Sequence, residues 1–233
     1  MSPQAKENRA FLGAHTLLLC IVLIGFARSF YLRGLFFTTH PLPLLLQLHG
    51  VALTCWFGLT TVQAWLAQSA RKGWHRRLAW LAVPVIMALV VTAAQVNNGV
   101  ALQLVSASDP ENMFVWANYM SLLSFVVLVA LAVRFRRRLA VHRRLMLFAS
   151  ISIIGPAFAR VAFWPWVGLG LGLAPALALG GMLLLVIVAV GYDLLVLRRV
   201  QAATWGGLAG LFLPLIAGMA VAISGLGFAL IHH

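Results

Sequence analysis

Five polar side chains stand out in this sequence because they occur in or beside long apolar segments. They are His49, His75, His142, Arg160 and Asp193. Histidine can ligate haem iron and can exchange a proton near neutral pH. An arginine within an apolar segment can bind an anionic or carbonyl group if it faces other helices. These five are the candidate cofactor-binding residues of the chain.

Two of the histidines open closely similar segments, His75-Arg76-Arg77-Leu78 and His142-Arg143-Arg144-Leu145. Because helix-borne histidines are the usual axial ligands of haem, haem b is a candidate cofactor. The alternatives are that each histidine caps a helix at a membrane surface or pairs with Asp193. The sequence contains no His-Glu-x-x-His or Cys-x-x-Cys pattern, so it predicts no other metal site.

A second group of polar residues forms a helical stripe around His49. His40 and His49 lie on one loop-helix segment, so they do not form a second haem pair. The spacing instead predicts a polar cavity, with partners from two later segments. The alternative is hydrogen bonding between helices for packing alone. The residues of the stripe and its expected partners are His49, Trp56, Thr60 and Gln63, then Thr92, Gln95, Asn118 and Ser121.

Arg160 lies within an apolar segment, at about the same predicted depth as His49. An arginine at the centre of a membrane helix costs roughly 2.5–3.5 kcal/mol, so it needs a partner or an escape to water. It lies about one turn from Trp164, which would let the guanidinium reach outward instead of into the bundle. Pro156 precedes it by one turn and predicts a kink, because proline leaves the Ser152 carbonyl without its usual donor.

The elements that position these residues follow from composition. The chain of 233 residues is 63% hydrophobic and 9% charged, with 17 Lys+Arg against 4 Asp+Glu and a formal net charge of +13. Soluble domains carry about 25% charged residues, so a water-soluble fold is excluded. The basic residues occur in short clusters between apolar runs, which argues against a nucleic-acid partner and favours anionic lipid at the cytoplasmic face.

Seven apolar runs are long enough to cross a hydrocarbon core of about 30 Å as helices. The sequence therefore predicts an all-α membrane protein, with residues 1–233 forming a single transmembrane bundle. Cys20 and Cys55 are expected to be packing thiols, and Gly206-x-x-x-Gly210 a small-residue packing contact. The predicted spans are Phe11 to Ala27, Leu44 to Ala67, Leu78 to Val96, Met113 to Val133, Leu145 to Trp164, Leu173 to Leu197 and Leu208 to Ile231.

The basic residues predict the orientation. Arg28 and Arg33, with the acidic Asp109 and Glu111, fall on one side of the seven-span model, while fourteen basic residues fall on the other. By the positive-inside rule this places the N-terminus inside and the C-terminus outside, in a bacterial cytoplasmic (inner) membrane. The fourteen are Lys6, Arg9, Arg71, Lys72, Arg76, Arg77, Arg134, Arg136, Arg137, Arg138, Arg143, Arg144, Arg198 and Arg199.

Five strings of residues between Phe30 and Arg199 together resemble a family of uncharacterised bacterial multi-pass inner-membrane proteins. The resemblance implies that the five candidate residues belong together, but it implies no reaction, since no activity is established for that family. The strings are His49-Gly50 with Trp56-Phe57 and Gln63, His75-Arg76-Arg77-Leu78, His142 to Ser150, Pro156 to Arg160, and Tyr192-Asp193-Leu194.

Three classes of function remain open at this point. A redox-type membrane protein that binds haem or quinone would use histidines near both surfaces and the arginine. A small-solute or proton transporter would use the same ionisable groups as a path. A noncatalytic sensor or assembly accessory subunit would use them for structure and would bind a protein partner or a second copy. Whether the chain is an enzyme is undecided, and Asp193 is expected to form an ion pair at the cytoplasmic helix ends.

Overall fold

A computed structural model describes residues 3–37, 41–69 and 72–232, without the side chains of residues 3, 4 and 72. In these ranges the chain is helical and contains no strand. A π-helical turn, Ala27–Tyr31, follows the first helix. The α-helices are α1 Pro3–Gly25, α2 Arg33–Phe36, α3 Leu44–Gln68, α4 Lys72–Ala79, α5 Ala82–Ala101, α6 Pro110–Arg134, α7 Leu139–Ser152, α8 Gly155–Val161, α9 Gly170–Leu197, α10 Ala202–Ile223 and α11 Leu226–His232.

Six helical segments of the described chain are long and apolar enough to cross a membrane. The bent pair α7 and α8 makes a seventh if it counts as one span. Many of their large apolar side chains are exposed, such as Leu195 at 74% and Ile223 at 71%. Such exposure suits contact with lipid. The six segments are Ala5–Gly25, Leu44–Gln68, Gly73–Ala101, Pro110–Arg134, Gly170–Leu197 and Ala202–Ile223.

The predicted fifth span, Leu145 to Trp164, is not one continuous helix. α7 ends at Ser152 and α8 begins at Gly155, so the helix is interrupted over Ile153 and Ile154. Pro156 is the second residue of α8, in the first turn of a helix, where a missing N–H costs nothing. The kink predicted from Pro156 therefore takes the form of a helix end followed by a new start.

The predicted seventh span, Leu208 to Ile231, is also divided. α10 ends at Ile223, a turn follows at Gly225 with φ of 76°, and the short helix α11 completes the described chain. Glycine adopts this left-handed conformation without the steric cost that a side chain imposes. The segment between the first two predicted spans contains the short helix α2.

The residues group into two compact units. The first unit comprises Met1–Ala93 with Pro156–Ala174, and the second comprises Ala94–Gly155 with Pro175–His233. The single bundle domain expected from the sequence stays a prediction. In the first unit α1 packs along α3, and α3 contacts α4. Cys20 and Cys55 are both exposed, so the expectation that they are packing thiols is wrong.

In the second unit α6, α7 and α10 pack against one another. Glycines of α10 make this approach possible: a Cβ on Gly207 would lie 2.3 Å from the Phe148 ring, and one on Gly210 would lie 2.7 Å from Leu128. Gly206 meets nothing within 4 Å, so the predicted Gly206-x-x-x-Gly210 contact is wrong in its first member. At the other end of this unit, Asp109 caps α6 by accepting from the Glu111 N–H at 2.9 Å.

Candidate functional site

His49 lies in the second turn of α3, and its Nδ1 is 3.2 Å from Thr92 Oγ1 on α5. The Thr92 hydroxyl has a single proton, which it donates to the Ala88 carbonyl at the shorter distance of 2.6 Å. His49 Nδ1–H is therefore the donor to Thr92, and the Nε2 lone pair of the neutral ring is left as an acceptor. The structure thus joins His49 of the predicted polar stripe to Thr92, one of its expected partners, and selects one tautomer.

Arg160 lies in the last turn of α8, and its side chain is exposed. Its guanidinium carbon is 5.7 Å from the centroid of the Phe26 ring. It also lies close enough to His49 for the two groups to interact electrostatically. No carboxylate forms an ion pair with Arg160 in the described part of the chain. Of the five candidate residues, Arg160 and His49 are brought together in the first unit.

The end of α1 fixes the position of α8 next to this pair. Gly25 is the last residue of α1, and a Cβ there would lie 2.3 Å from the backbone oxygen of Ala157. Just beyond, Arg28 donates from Nη1 to the Phe163 carbonyl. Backbone thus touches backbone where α1 meets α8, three residues before Arg160, and only glycine permits that approach.

This contact predicts a large difference between two glycines of the same helix. We expect Gly25→Ala to destabilise the protein by about 1–3 kcal/mol, because the new methyl group overlaps backbone atoms that cannot rotate away. Gly13 meets nothing within 4 Å, so Gly13→Ala is the matched control and should be neutral or stabilising. Thermal melting in detergent measures both. Equal melting temperatures for the two variants would contradict the contact.

The segment before α3 is hydrogen-bonded to the turn that carries His49. The Thr54 hydroxyl donates to the Gly50 carbonyl at 2.7 Å and accepts from Tyr31 Oη at 2.6 Å. Burial raises the pKa of Tyr31, so the phenol stays a donor. The Phe30 ring covers Gly50, where a Cβ would come within 2.6 Å of the ring. The backbone beside His49 is therefore closely packed.

The histidines of the two His-Arg-Arg-Leu segments each contact a backbone carbonyl. His75 Nδ1 is 3.2 Å from the Gln63 oxygen in the first unit, and His142 Nδ1 is 2.9 Å from the Ala132 oxygen in the second. Such a bond fixes the ring and its tautomer, whether the histidine is a ligand or a structural anchor. His40, which the sequence analysis placed on the same loop-helix segment as His49, lies outside the described residues. Among the described residues, no group of three or more His, Cys, Asp or Glu side chains could hold a metal ion.

Asp193 lies in a buried ion pair in the second unit. Its Oδ1 is 2.9 Å from Arg144 Nη2, with both side chains almost fully buried. Its Oδ2 accepts from the Gln201 N–H at 3.0 Å and from the Thr204 hydroxyl at 2.5 Å, which holds the start of α10. The main-chain oxygen of Asp193 accepts from the Arg199 N–H across Arg198, whose φ is 60°. One acidic residue therefore joins three helices, α7, α9 and α10.

Asparagines form a further cluster in the second unit that the sequence predicted only in part. Asn118 donates to Asn97 Oδ1 at 3.2 Å, and Asn97 donates to the Val115 carbonyl at 3.0 Å. Asn112 donates to the Ala107 and Ala222 carbonyls and is 2% exposed. Asn118 was expected to face the His49 stripe, but its described amide bond is to Asn97. These bonds join helix ends, as polar packing contacts in membrane bundles do.

Sequence reasoning missed three residues that matter to these sites. Phe26 and Gly25 gave no signal, since aromatic residues and glycines are common at helix ends in membrane proteins. Arg144 was hidden among its neighbours, because six arginines occur between positions 134 and 144. A helical projection of α7 would have placed Arg144 on the same face as the apolar Phe148, one turn later.

No family model, no curated protein and no solved structure matches this chain.

Proposed function

We propose that this chain is a multi-pass protein of the bacterial cytoplasmic membrane, with its N-terminus inside, that binds a lipophilic carbonyl or phenol ligand of the quinone type. The binding residues are Arg160 and His49. The observation that carries the proposal is the exposed Arg160 guanidinium, held over Phe26 and close to His49 without a carboxylate partner among the described residues. The fourteen basic residues on one side of the sequence model support the orientation.

The chemistry of the pair fits such a ligand. The Arg160 guanidinium has donors only, and a carbonyl oxygen is an acceptor that a hydrocarbon environment leaves otherwise unsatisfied. His49 presents an Nε2 lone pair, which accepts from a phenolic hydroxyl, and its protonated form would donate to a carbonyl. Phe26 offers an aromatic face beside the guanidinium. A headgroup with oxygens at both ends of a flat ring would use all three.

The family resemblance noted in the sequence supports the same residues but no ligand. Arg160 and His49 act here as binding residues, without an electron-transfer step of their own. Haem remains the competing cofactor, with His75 and His142 as its candidate ligands.

A binding titration tests this proposal. Protein in nanodiscs of neutral phosphatidylcholine is titrated with decylubiquinone carrying ¹³C at its carbonyls, and infrared difference spectra follow the carbonyl stretch. We expect Arg160→Gln to weaken binding about 10- to 100-fold, the loss of one hydrogen bond to a charged group. His49→Gln should weaken it less. The control is Arg136→Gln, which removes an exposed arginine from the segment between α6 and α7.

Two results would reject the proposal. One is a titration in which Arg160→Gln and Arg136→Gln bind the quinone equally well, and the other is an unmodified protein that leaves the carbonyl stretch unchanged. An absorbance spectrum of the same sample tests the competing cofactor. A Soret band that disappears when His75 or His142 is changed would show that the cofactor is haem and not quinone.

A further inference from the structure

The helix α4 carries an open cleft that the proposed quinone site does not use. Its volume is about 540 Å³, and the residues that line it are Gly73, Trp74, Arg76, Arg77 and Trp80. We call these five residues the α4 cleft. They come from eight consecutive positions of the chain, so one short helix and the turn after it create the whole surface.

Helical spacing places these residues on one side of α4. Positions 73, 76, 77 and 80 are three or four apart and so share a face. His75 projects from the opposite side, where its Nδ1 contacts the Gln63 carbonyl of α3. Within the first unit the helix is therefore attached to α3 through His75, while its arginines and Trp74, with Trp80 in the turn after it, are exposed.

No acidic side chain of the described residues neutralises the charge of the α4 cleft. Arg76 and Arg77 are exposed, and no carboxylate forms an ion pair with either of them within the described ranges. Arg77 stacks its guanidinium 5.6 Å from the centroid of the Trp74 ring. Stacking leaves the edge N–H groups of a guanidinium able to donate, and two adjacent guanidinium groups match the oxygens of a phosphate.

The two tryptophans identify the source of that phosphate as a lipid. Trp74 and Trp80 are 55% and 78% exposed, which would be unfavourable in water. The cleft lies at the start of the long apolar segment Gly73–Ala101, and tryptophan and arginine are enriched where such segments meet lipid headgroups. A free phosphate ion would use the arginines but would leave both indoles without a role.

We propose that the α4 cleft binds the phosphodiester headgroup of an anionic membrane phospholipid. Arg76 and Arg77 donate to the phosphate oxygens, while Trp74 and Trp80 lie at the boundary between headgroup and acyl chains. Gly73 meets nothing within 4 Å of a Cβ position, so the floor of the cleft is open. The site is distinct in residues from the His49 and Arg160 pair, and either proposal can fail without the other.

Native mass spectrometry of the full-length protein tests this site. The protein is released from nanodiscs that contain equal amounts of phosphatidylglycerol and phosphatidylcholine, and the retained lipids are counted. We expect Arg76→Gln with Arg77→Gln to reduce retained phosphatidylglycerol about tenfold. The matched control is Arg136→Gln with Arg137→Gln, which removes the same charge from another exposed basic segment and should leave retention within about twofold.

A lysine double variant and competition with inorganic phosphate test the same site independently. Arg76→Lys with Arg77→Lys preserves the charge but removes the planar donor fork, so retention should fall about threefold even if the glutamine variant is unstable. Inorganic phosphate added in excess should not displace the lipid. Equal losses in the glutamine pair and its control, full retention in the lysine pair, or displacement by inorganic phosphate would each overturn the assignment of a lipid headgroup site.

Discussion

Asp193→Ala is expected to lower the free energy of unfolding by about 3–5 kcal/mol, because it removes the carboxylate that pairs with the buried Arg144 guanidinium. Arg144 is 2% exposed, and its described polar contacts besides Asp193 include the Ala140 carbonyl. The same change removes the acceptor for the Gln201 N–H and the Thr204 hydroxyl. Unfolding by SDS in mixed micelles, followed by circular dichroism, measures the loss.

A double variant separates the ion pair from simple loss of packing. Removing both charges, with Arg144→Met and Asp193→Leu, should recover much of the stability, since replacing a whole buried pair by apolar side chains is often neutral. Arg136→Met removes an exposed arginine and should change stability by less than about 0.5 kcal/mol. If Asp193→Ala were as mild as Arg136→Met, the buried pair would not exist in the folded protein.

The second large effect is expected between two adjacent glycines of α10. Gly207→Ala should destabilise the protein by about 1–3 kcal/mol, since the new Cβ would overlap the Phe148 ring, which is 1% exposed and has no room to move. Gly206→Ala should be neutral or should stabilise by up to about 1 kcal/mol, because alanine favours helix.

Thermal melting in detergent measures both alanine variants. Both variants replace one glycine by alanine, and the two positions are adjacent. The detergent and the expression level should therefore affect both melting temperatures equally. A Gly206 variant that melts lower than the Gly207 variant would show that the face of α10 that carries Gly206 is the packed one. That outcome would restore the contact expected from the Gly206-x-x-x-Gly210 spacing.

The spans could be predicted from sequence because length and hydropathy alone decide whether a helix can cross hydrocarbon. The positions at which the fifth and seventh spans are interrupted could be predicted less well. Pro156 predicted a kink in the fifth span, but it did not indicate that α7 already ends at Ser152, where the Ile154 N–H donates to the Ile151 carbonyl at 3.3 Å. The end of α10 at Ile223 gave only a weak signal, since glycine is frequent in membrane helices.

The sites were predicted in part, for a similar reason. A polar residue in an apolar segment is visible in sequence, so His49, Arg160 and Asp193 could be named. Their partners depend on which helix face packs. Thr92 was named as a partner of His49 and does contact it, whereas Arg144 could not be distinguished from five nearby arginines. Gly206 and Gly207 point in directions about 100° apart around the helix. The sequence does not show which of the two faces a neighbouring helix.

The hydrogen bonds between Asp193 and the start of α10 have a consequence for biosynthesis. Arg144 precedes its carboxylate partner by 49 residues, so the ribosome completes α7 long before the counter-charge emerges. In the folded protein Asp193 accepts from Gln201 and Thr204, so its carboxylate closes the connection between α9 and α10. We therefore expect α9 and α10 to insert as a hairpin, and the second unit to form its buried charge pair only after α10 has been made.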